Sequence, residues 1–482
     1  MKMKMPTGLF DKLSSQLLVI ELLPRPVLKV VGPLLVPLKI MPEDGRSAAK
    51  ALMAPHVRDA SIEFLKMAAE WMLAAKRARK RGEKVILVPF NFPSELIHAF
   101  TKARPLTSEV LTTLGVSALP GQGEDYWNVA MGLGLPDHLC SANTIELGSI
   151  LSGDDLKPDA IIQSAPGGCD VNSKIHEFVA HYLDIPQFFL QKPTDDSGRG
   201  REWYGKYMKS LVAQLEEFLG EKLDEGRLRA VMEKANRCTE LYYELWDLQK
   251  AVPSPVPNLF SLLIYGTRFT MWGTDAAVRT MEAMVKIGKE RLAKREYPAP
   301  AEVARCLWAY TSYYYDFFGF FNWMEDKGYS HLGDGLDLFF PKLVDTASMD
   351  SMLEGIAEAA WNMPMTRQVG GESMSGSWTE DVVHAVKELG ADCVIYCGHH
   401  SCKQTWSVAS ILRSELQKRT GTPMLMLQGD SWIKNMTPMS VLQEQIEDFI
   451  SNVVAKKDGK KRKIRRRKKA DGAEQSAEAE MA

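Results

Sequence analysis

The 482-residue sequence predicts an α/β protein with two doubly wound parallel-sheet domains and a helical insertion between them. Short apolar runs alternate with helical patterns in two separate blocks, which is typical of β/α/β units in a parallel sheet. The segment between the blocks has a helical pattern. Apolar residues make up 45% of the chain and charged residues 25%, which favours a globular protein over a disordered or fibrous one.

Residues 1–78 are predicted to form an N-terminal arm followed by a helix. The apolar tract from Leu17 to Met41 contains four prolines and four charged residues, which argues against a membrane span of about 20 apolar residues. We expect the arm to lie across the protein or a partner, with reversible membrane contact as the alternative. From Ala54 to Arg81, apolar residues recur every three to four positions, the period of an amphipathic helix.

Residues 79–197 are predicted to form the first α/β domain. The apolar run from Val85 to Val88 is typical of a buried strand, and Pro89 ends it. Two further strands are expected at Asp159–Ile162 and Pro186–Leu190, with a helix from Asn172 to Tyr182 between them. This succession predicts neighbouring parallel strands.

Residues 198–297 are predicted to be the helical insertion, and residues 298–455 the second α/β domain. Amphipathic runs separated by glycines and prolines fill the insertion. In the second domain the predicted order is strand, helix, strand, helix, at Asp392–Cys397, Gln404–Lys418, Pro423–Leu427 and Val441–Val454.

Charge divides the chain into an acidic body and a basic tail. The formal net charge is −2, from 59 Lys and Arg against 61 Asp and Glu. Residues 456–482 hold 11 of the basic and 5 of the acidic residues, which leaves a net charge of −8 for residues 1–455. The tail is expected to be disordered, because its composition cannot form a core. It offers a non-enzymatic alternative, binding of nucleic acid or an anionic surface. A non-catalytic structural subunit is a further alternative.

Seven cysteines are too few for a disulfide scaffold in a chain of this length, and their number is odd. A reducing compartment is therefore expected. The chain opens without the uninterrupted apolar segment of a secretory signal, which together with the cysteines predicts a cytoplasmic protein.

Three of the cysteines, Cys140, Cys169 and Cys402, each stand at the start of a predicted helix. Cys169 and Cys402 also follow the carboxyl end of a predicted strand, where α/β sheets bind ligands. Helix N-termini stabilise the thiolate that metal binding needs. Three thiolates from separate loops could hold three irons of a [4Fe–4S] cluster and leave the fourth open. Packing in the core stays the alternative for each of them.

The remaining four cysteines have less favourable positions for a ligand. Packing roles are expected for three of them and a reserve ligand role for the fourth: Cys238, Cys306, Cys393 and, as the reserve, Cys397.

Several short motifs follow one another in an order that carries a family resemblance. They are Val88–Ala99 with Pro-Phe-Asn-Phe-Pro-Ser-Glu-Leu-Ile-His, Asp137–Cys140, Pro158–Ile162 with Gly168, Cys169 and Lys174, Ser254–Pro257, Arg268–Thr274, Ser401–Lys403, and Thr422–Pro423 with Gly429–Asp430. On these motifs the chain resembles the 2-hydroxyacyl-CoA dehydratase and benzoyl-CoA reductase family over about residues 80–455.

The resemblance implies an iron–sulfur subunit with Cys140, Cys169 and Cys402 as ligands of a [4Fe–4S] cluster. It also implies a paralogous second subunit, with which the chain forms a heterodimer, and an ATP-hydrolysing iron–sulfur activator that delivers one electron. The implied reaction removes water from a 2-hydroxyacyl-CoA to give an enoyl-CoA through a ketyl radical, in an anaerobic cytoplasm. The alternative is a benzoyl-CoA-type reductase that dearomatises an aromatic acyl-CoA.

The resemblance also places Glu95 near the substrate, where a carboxylate could move a proton. Ordinary charge placement in a first helical turn is the alternative. His399 and His400, beside Cys402, are either hydrogen-bond donors to the site or solvated loop residues, and they are not included among the predicted site residues. Where some dehydratase subunits carry a serine-rich stretch, this chain has Leu87-Val-Pro-Phe90, so a serine contribution to substrate binding is not expected.

Overall fold

The structure of the chain is a computed structural model that describes residues 7–35, 43–119, 122–152, 155–164, 169–296, 301–338, 340–370 and 373–455. The basic tail predicted to be disordered, residues 456–482, lies outside the described residues. The motif residue Gly168 also lies outside the described residues.

Two four-stranded, all-parallel sheets form the centre of the described chain, as predicted for an α/β fold with two parallel-sheet domains. The strand order is β2-β1-β3-β4 in the first sheet and β6-β5-β7-β8 in the second. The strands are β1 (Lys84–Val88), β2 (Ala103–Thr107), β3 (Ala160–Ser164), β4 (Gln187–Leu190), β5 (Ala304–Trp308), β6 (Tyr329–His331), β7 (Cys393–Tyr396) and β8 (Met424–Met426).

Helices surround both sheets and fill the segment between them. In the first half of the chain they are α1 (Leu9–Leu22), α2 (Arg25–Leu35), α3 (Glu43–Leu52), α4 (Arg58–Ala78), α5 (Glu95–His98), α6 (Ser108–Ala118), α7 (Gly123–Met131), α8 (Ser141–Leu151) and α9 (Asp170–Leu183). The rest are α10 (Gly198–Leu219), α11 (Glu225–Gln249), α12 (Phe260–Thr270), α13 (Asp275–Lys294), α14 (Phe317–Asp326), α15 (Met349–Trp361), α16 (Thr379–Leu389), α17 (Lys403–Arg419) and α18 (Met439–Phe449).

Three strands, β2, β5 and β6, have no counterpart in the sequence analysis. Strand β2 contains Pro105, which argues against a strand in a sequence pattern because proline lacks the N–H of a ladder hydrogen bond. The structure places β2 at the edge of its sheet, where that N–H is not needed. Strand β6 has only three residues and is also an edge strand.

The N-terminal segment is helical where the sequence analysis described only an arm. Pro26 stands in the first turn of α2, where a missing N–H costs no helical hydrogen bond. Pro33 stands in the last turn, and α2 ends at Leu35. Both α1 and α2 pack against α4, so this segment lies across the protein. Among the described residues, no helix combines the length and the apolar character needed to cross a bilayer.

Polar contacts join the first sheet and its helices to the second. The Nδ2 atom of Asn91, just after β1, donates to the Ser164 carbonyl at 3.1 Å and to Thr366 Oγ1 at 3.0 Å. The indole N–H of Trp432 donates to Thr113 Oγ1 at 3.0 Å. Asn91 follows β1, Trp432 follows β8, and Thr113 lies on α6, which begins directly after β2. The contacts of Asn91 with Thr366 and of Trp432 with Thr113 therefore join the carboxyl-end side of the first sheet to the second half of the chain.

Candidate functional site

A cavity between the two sheets is lined by Cys140, Cys169 and Cys402, which are far apart in the sequence. Each cysteine is the N-cap residue of a helix, of α8, α9 and α17 respectively. The backbone N–H of Asn172 donates to the Cys169 Sγ atom at 3.5 Å. The positive ends of three helices therefore point at one space, which favours negatively charged sulfur there.

The loop that carries Cys402 depends on a glycine. Gly398, directly after β7 and Cys397, has a φ of 68°, and an added Cβ would clash with the carbonyl of Leu427, the residue after β8. Only glycine satisfies both conditions without strain. The chain then turns through His399 and enters α17 at Cys402.

The three thiols are half-buried and lie near one another. Burial raises the pKa of the Cys140 thiol well above its ordinary value, and the thiols of Cys169 and Cys402 raise it further. Burial likewise raises the pKa of Cys169 to about 12. Without a bound cation, the site therefore holds neutral thiols, and the binding of a metal would release their protons.

Aromatic side chains form part of the cavity wall. The hydroxyl of Tyr310 lies next to the Cys402 thiol, and burial followed by the charges of the three sulfurs raises the pKa of this phenol strongly. The other aromatic lining residues are Phe90, Tyr265 and Trp432. These walls limit the access of water to the sulfur atoms.

A buried histidine lies between Cys140 and a carboxylate. The Nε2 atom of His399 is 3.5 Å from the Cys140 Sγ atom. Its Nδ1 atom is 3.0 Å from Asp430 Oδ2, in an ion-pair contact rather than a well-aligned hydrogen bond. Asp430 Oδ1 accepts from Ser141 Oγ at 2.7 Å and from the backbone N–H of Trp432 at 2.8 Å. His399 is therefore held in place on both sides.

The carboxyl group of Glu109 also reaches the cavity wall. Its Oε2 atom accepts from the backbone N–H of Phe90 at 3.0 Å and from Ser108 Oγ at 2.9 Å, and Asn172 Nδ2 donates to Oε1. Burial raises the pKa of Glu109, and the Glu146 carboxylate raises it further, against the opposite effect of a histidine. Glu109 can therefore hold a proton next to the cysteines.

That histidine, His176, extends the polar network behind Glu109. Its Nε2 atom is 3.1 Å from Glu146 Oε1, and Asn143 Nδ2 donates to Glu146 Oε2 at 3.3 Å. Burial lowers the pKa of His176, but the Glu146 carboxylate outweighs it, and the net shift is upward. The nearby Glu146 and Glu109 carboxyl groups therefore favour the protonated imidazole.

The structure does not bring Glu95 to this cavity. Glu95 is buried, and its Oε1 atom accepts from Arg268 Nη1 at 2.8 Å. The Arg268 guanidinium lies 5.2 Å from the centre of the Trp272 ring. This geometry describes a buried ion pair between α5 and α12, and the predicted proton-transfer role of Glu95 stays a prediction.

The other four cysteines do not line the cavity. All four are buried, with Cys306 and Cys393 on neighbouring strands at a sulfur–sulfur distance of 3.6 Å. Cys397, the reserve ligand, lies within hydrogen-bonding distance of Thr311 Oγ1 at 3.0 Å and Ser431 Oγ at 3.5 Å. The reserve role is not supported by this position.

Three cysteines on one cavity fit an iron–sulfur cluster. Within the described residues, no group of three or more His, Cys, Asp or Glu side chains is close enough to share a single metal ion. A cluster does not require that, because each thiolate binds a different iron. The donor set of three sulfurs, each at a helix N-terminus, is the chemistry that iron–sulfur clusters prefer.

The sequence analysis missed Glu109, and it did not connect His399 with Cys140 or Asp430. Ser108-Glu109 begins α6 directly after β2, at the carboxyl end of a parallel strand. Residues at that position of an α/β sheet often face a bound ligand. The sequence pattern did not indicate this position, because Pro105 argues against a strand at residues 103–107.

Comparison with known proteins places the chain in a family. A model of the family described as 2-hydroxyglutaryl-CoA dehydratase, D-component, matches residues 89–453. The chain is also 25% identical over 201 residues to the alpha subunit of (R)-phenyllactyl-CoA dehydratase from Clostridium sporogenes. That similarity covers 38% of this chain and 46% of the relative's length. Because the family match spans most of the chain and includes all three cavity cysteines, the chain belongs to the 2-hydroxyglutaryl-CoA dehydratase, D-component, family.

Proposed function

We propose that the chain is the iron–sulfur subunit of a 2-hydroxyacyl-CoA dehydratase, which converts a 2-hydroxyacyl-CoA to an enoyl-CoA. The observation that carries this proposal is the meeting of Cys140, Cys169 and Cys402 on one cavity. The family match supports it, since its members are described as dehydratase components.

Cys140, Cys169 and Cys402 would hold a [4Fe–4S] cluster, each as a thiolate at a helix N-terminus. When bound, the cluster supplies one-electron reduction and Lewis acidity, which are the requirements for removing an α-hydroxyl from a thioester whose β-hydrogen is not acidic. The aromatic walls around the sulfurs keep water away from a reactive substrate radical.

Glu109 is proposed as the group that moves the β-proton. It lies on the cavity wall, and Ser108 Oγ and the Phe90 N–H fix one of its oxygens. A buried carboxyl group with a raised pKa can both accept and return a proton. Behind it, Glu146 raises and His176 lowers the pKa of Glu109, so these two neighbours would tune how readily it takes and returns the proton.

The proposal includes two protein partners. The relative from Clostridium sporogenes is named an alpha subunit, which supports a second, paralogous subunit for this chain too. A one-electron input at low potential requires a donor, and an ATP-hydrolysing iron–sulfur activator is the proposed donor.

The deciding experiment measures iron, sulfide and the electron paramagnetic resonance spectrum of the anaerobically purified chain. The wild type is expected to hold about four irons per chain, as a [4Fe–4S] cluster requires. Cys169→Ala should lose most of this iron, whereas Cys238→Ala, a buried cysteine away from the cavity, should keep it. Equal iron in the two variants, or none in the wild type, would contradict the proposal.

The product then distinguishes dehydration from the alternatives. With its partner subunit, activator and ATP, the chain should convert 2-hydroxyacyl-CoA to enoyl-CoA. Reduction of an aromatic acyl-CoA under the same conditions would instead support the reductase alternative. If no acyl-CoA reacts and removal of residues 456–482 abolishes nucleic-acid binding, the non-enzymatic alternative is supported.

A further inference from the structure

Helices α1 and α2 expose a continuous set of large aliphatic side chains. Leu22 is 71% exposed, Val30 66% and Leu34 62%. On each helix the exposed residues lie three or four positions apart or next to each other, so they share one face. We call this set the N-terminal apolar face, and it comprises Leu18, Val19, Leu22, Val27, Val30 and Leu34.

The two helices present these residues on the same side of the molecule. From α2, Arg25 pairs with Glu63 at 2.5 Å and Lys29 with Asp59 at 2.7 Å. These two carboxylates lie four residues apart on α4, and therefore on one stripe of that helix.

Helix α1 packs on the same stripe of α4, further along the helix. Lys66 Nζ donates to the Glu21 carbonyl at 3.0 Å, and Arg77 pairs with the Glu21 carboxylate at 2.6 Å. At 3.6 residues per turn, positions 59, 63, 66 and 77 face the same direction. The outer faces of α1 and α2 therefore both point away from α4.

A basic cluster borders this face. Helix α4 ends at Ala78 within the basic run Lys76-Arg-Ala-Arg-Lys-Arg81, and the last three residues of this run are exposed. Lys76 pairs with Asp11 of α1 at 3.2 Å and Arg77 with Glu21 at 2.6 Å, so the start of the run lies against α1.

We propose that the N-terminal apolar face and the basic cluster at residues 76–81 together bind an anionic phospholipid surface, with α1 and α2 lying along the membrane interface. Helices that lie in such an interface typically carry aliphatic side chains beside lysines and arginines. Protein-binding surfaces instead concentrate their energy in tryptophan, tyrosine and arginine, and this face has no aromatic residue among its six members.

Two further observations agree with a lipid surface. The sequence after α2 remains apolar, as Val36-Pro-Leu-Lys-Ile-Met41. Residues 7–35 also lie outside the family match at 89–453, so this face is additional to the part of the chain that carries the cavity. The inference does not depend on the proposed dehydratase function.

Binding of the full chain to lipid vesicles tests the proposal. Vesicles of phosphatidylcholine with one quarter phosphatidylglycerol should sediment the wild-type protein, and pure phosphatidylcholine vesicles should bind it much less. Leu22→Asp with Val30→Asp should lower the partition coefficient on the mixed vesicles about tenfold or more. Leu133→Asp with Leu343→Asp, at apolar residues that are each 57% exposed elsewhere, should leave it unchanged.

A charge-reversal variant distinguishes lipid binding by the basic cluster from lipid binding by the basic tail. Lys80→Glu with Arg81→Glu should also lower binding to the mixed vesicles, with the tail of residues 456–482 still present. Wild-type binding by the Leu22 and Val30 variant would overturn the proposal, because the tail alone would then explain the affinity. A change in oligomeric state in that variant, without a change in vesicle binding, would assign the face to a protein partner and also overturn it.

Discussion

At the scale of single residues, the positions of the functional side chains in the cavity depend on their contacts with neighbouring residues. Asp430 and Cys140 hold the imidazole of His399 between them, and the backbone N–H of Phe90 holds Glu109. The chemistry proposed for this chain needs sulfur and carboxyl groups at fixed positions, so these contacts can be tested one at a time.

His399→Ala should reduce the iron bound by the chain, because Cys140 loses the neighbour at 3.5 Å that fixes its sulfur. Partners of metal ligands typically change metal affinity 10- to 100-fold, and we expect a loss of about that size. His400→Ala is the control, since this side chain is exposed. Iron titration of the anaerobic protein measures both, and equal affinities would show that His399 does not position Cys140.

Glu109→Gln should lower turnover, whereas Glu95→Gln should lower the stability of the fold. Glu109→Gln keeps the size of the side chain but cannot accept the proton, so turnover should fall about 100- to 10,000-fold with the iron content unchanged. Glu95→Gln removes the carboxylate that pairs with the buried Arg268 guanidinium, so the free energy of unfolding should fall by about 3–5 kcal/mol. Turnover and denaturant unfolding of both variants measure this. If only Glu95→Gln abolishes turnover in folded protein, the roles assigned here are reversed.

At the scale of secondary-structure elements, the strand-to-helix connections carry the ligands. Cys169 follows β3 by a short connection and begins α9, and Cys402 follows β7 and begins α17. The conformation of each connection therefore decides where a thiol lies.

Gly398→Ala should disturb the connection between β7 and α17. Alanine at a φ of 68° is strained, and its Cβ would meet the Leu427 carbonyl, so we expect a loss of about 2 kcal/mol or more in unfolding free energy and reduced iron binding. Gly390→Ala is a matched control with a φ of 62° and no atom within 4 Å of the added Cβ. It should cost about 1 kcal/mol and leave iron binding unchanged. Similar effects in both variants would remove the special role of Gly398.

At the scale of the whole molecule, burial of ionisable groups connects stability with pH. Burial lowers the pKa of His98 to about 4 and that of His331 to about 3. Both side chains are neutral in the folded protein, whereas in the unfolded chain they take up a proton below about pH 6.5. Their contribution to stability is therefore present above pH 6.5 and is lost as the pH falls toward 4. Buried Asp334, whose pKa is raised to about 7, contributes in the opposite direction over the same range.

A variant of His98 isolates its share of this pH dependence. His98 Nε2 donates to the Thr270 carbonyl at 2.8 Å, and the glutamine amide in His98→Gln can make the same hydrogen bond without titrating. Between pH 6.5 and 4, the unfolding free energy of the wild type should fall more steeply than that of the variant, by up to about 1.4 kcal/mol per pH unit. Equal slopes in denaturant unfolding across this range would contradict a neutral, half-buried His98.

Sequence patterns by themselves determined the α/β class, the two blocks of parallel strands and the three cysteines at helix starts, because the period of apolar residues and the residues that begin and end helices are local properties. They did not reveal β2, since a proline at a sheet edge looks the same in sequence as a proline in a loop. They also did not show that Glu109 lies on the cavity and that Glu95 pairs with Arg268. Only the tertiary structure decided these points, because they depend on which helices from distant parts of the chain pack beside each strand end.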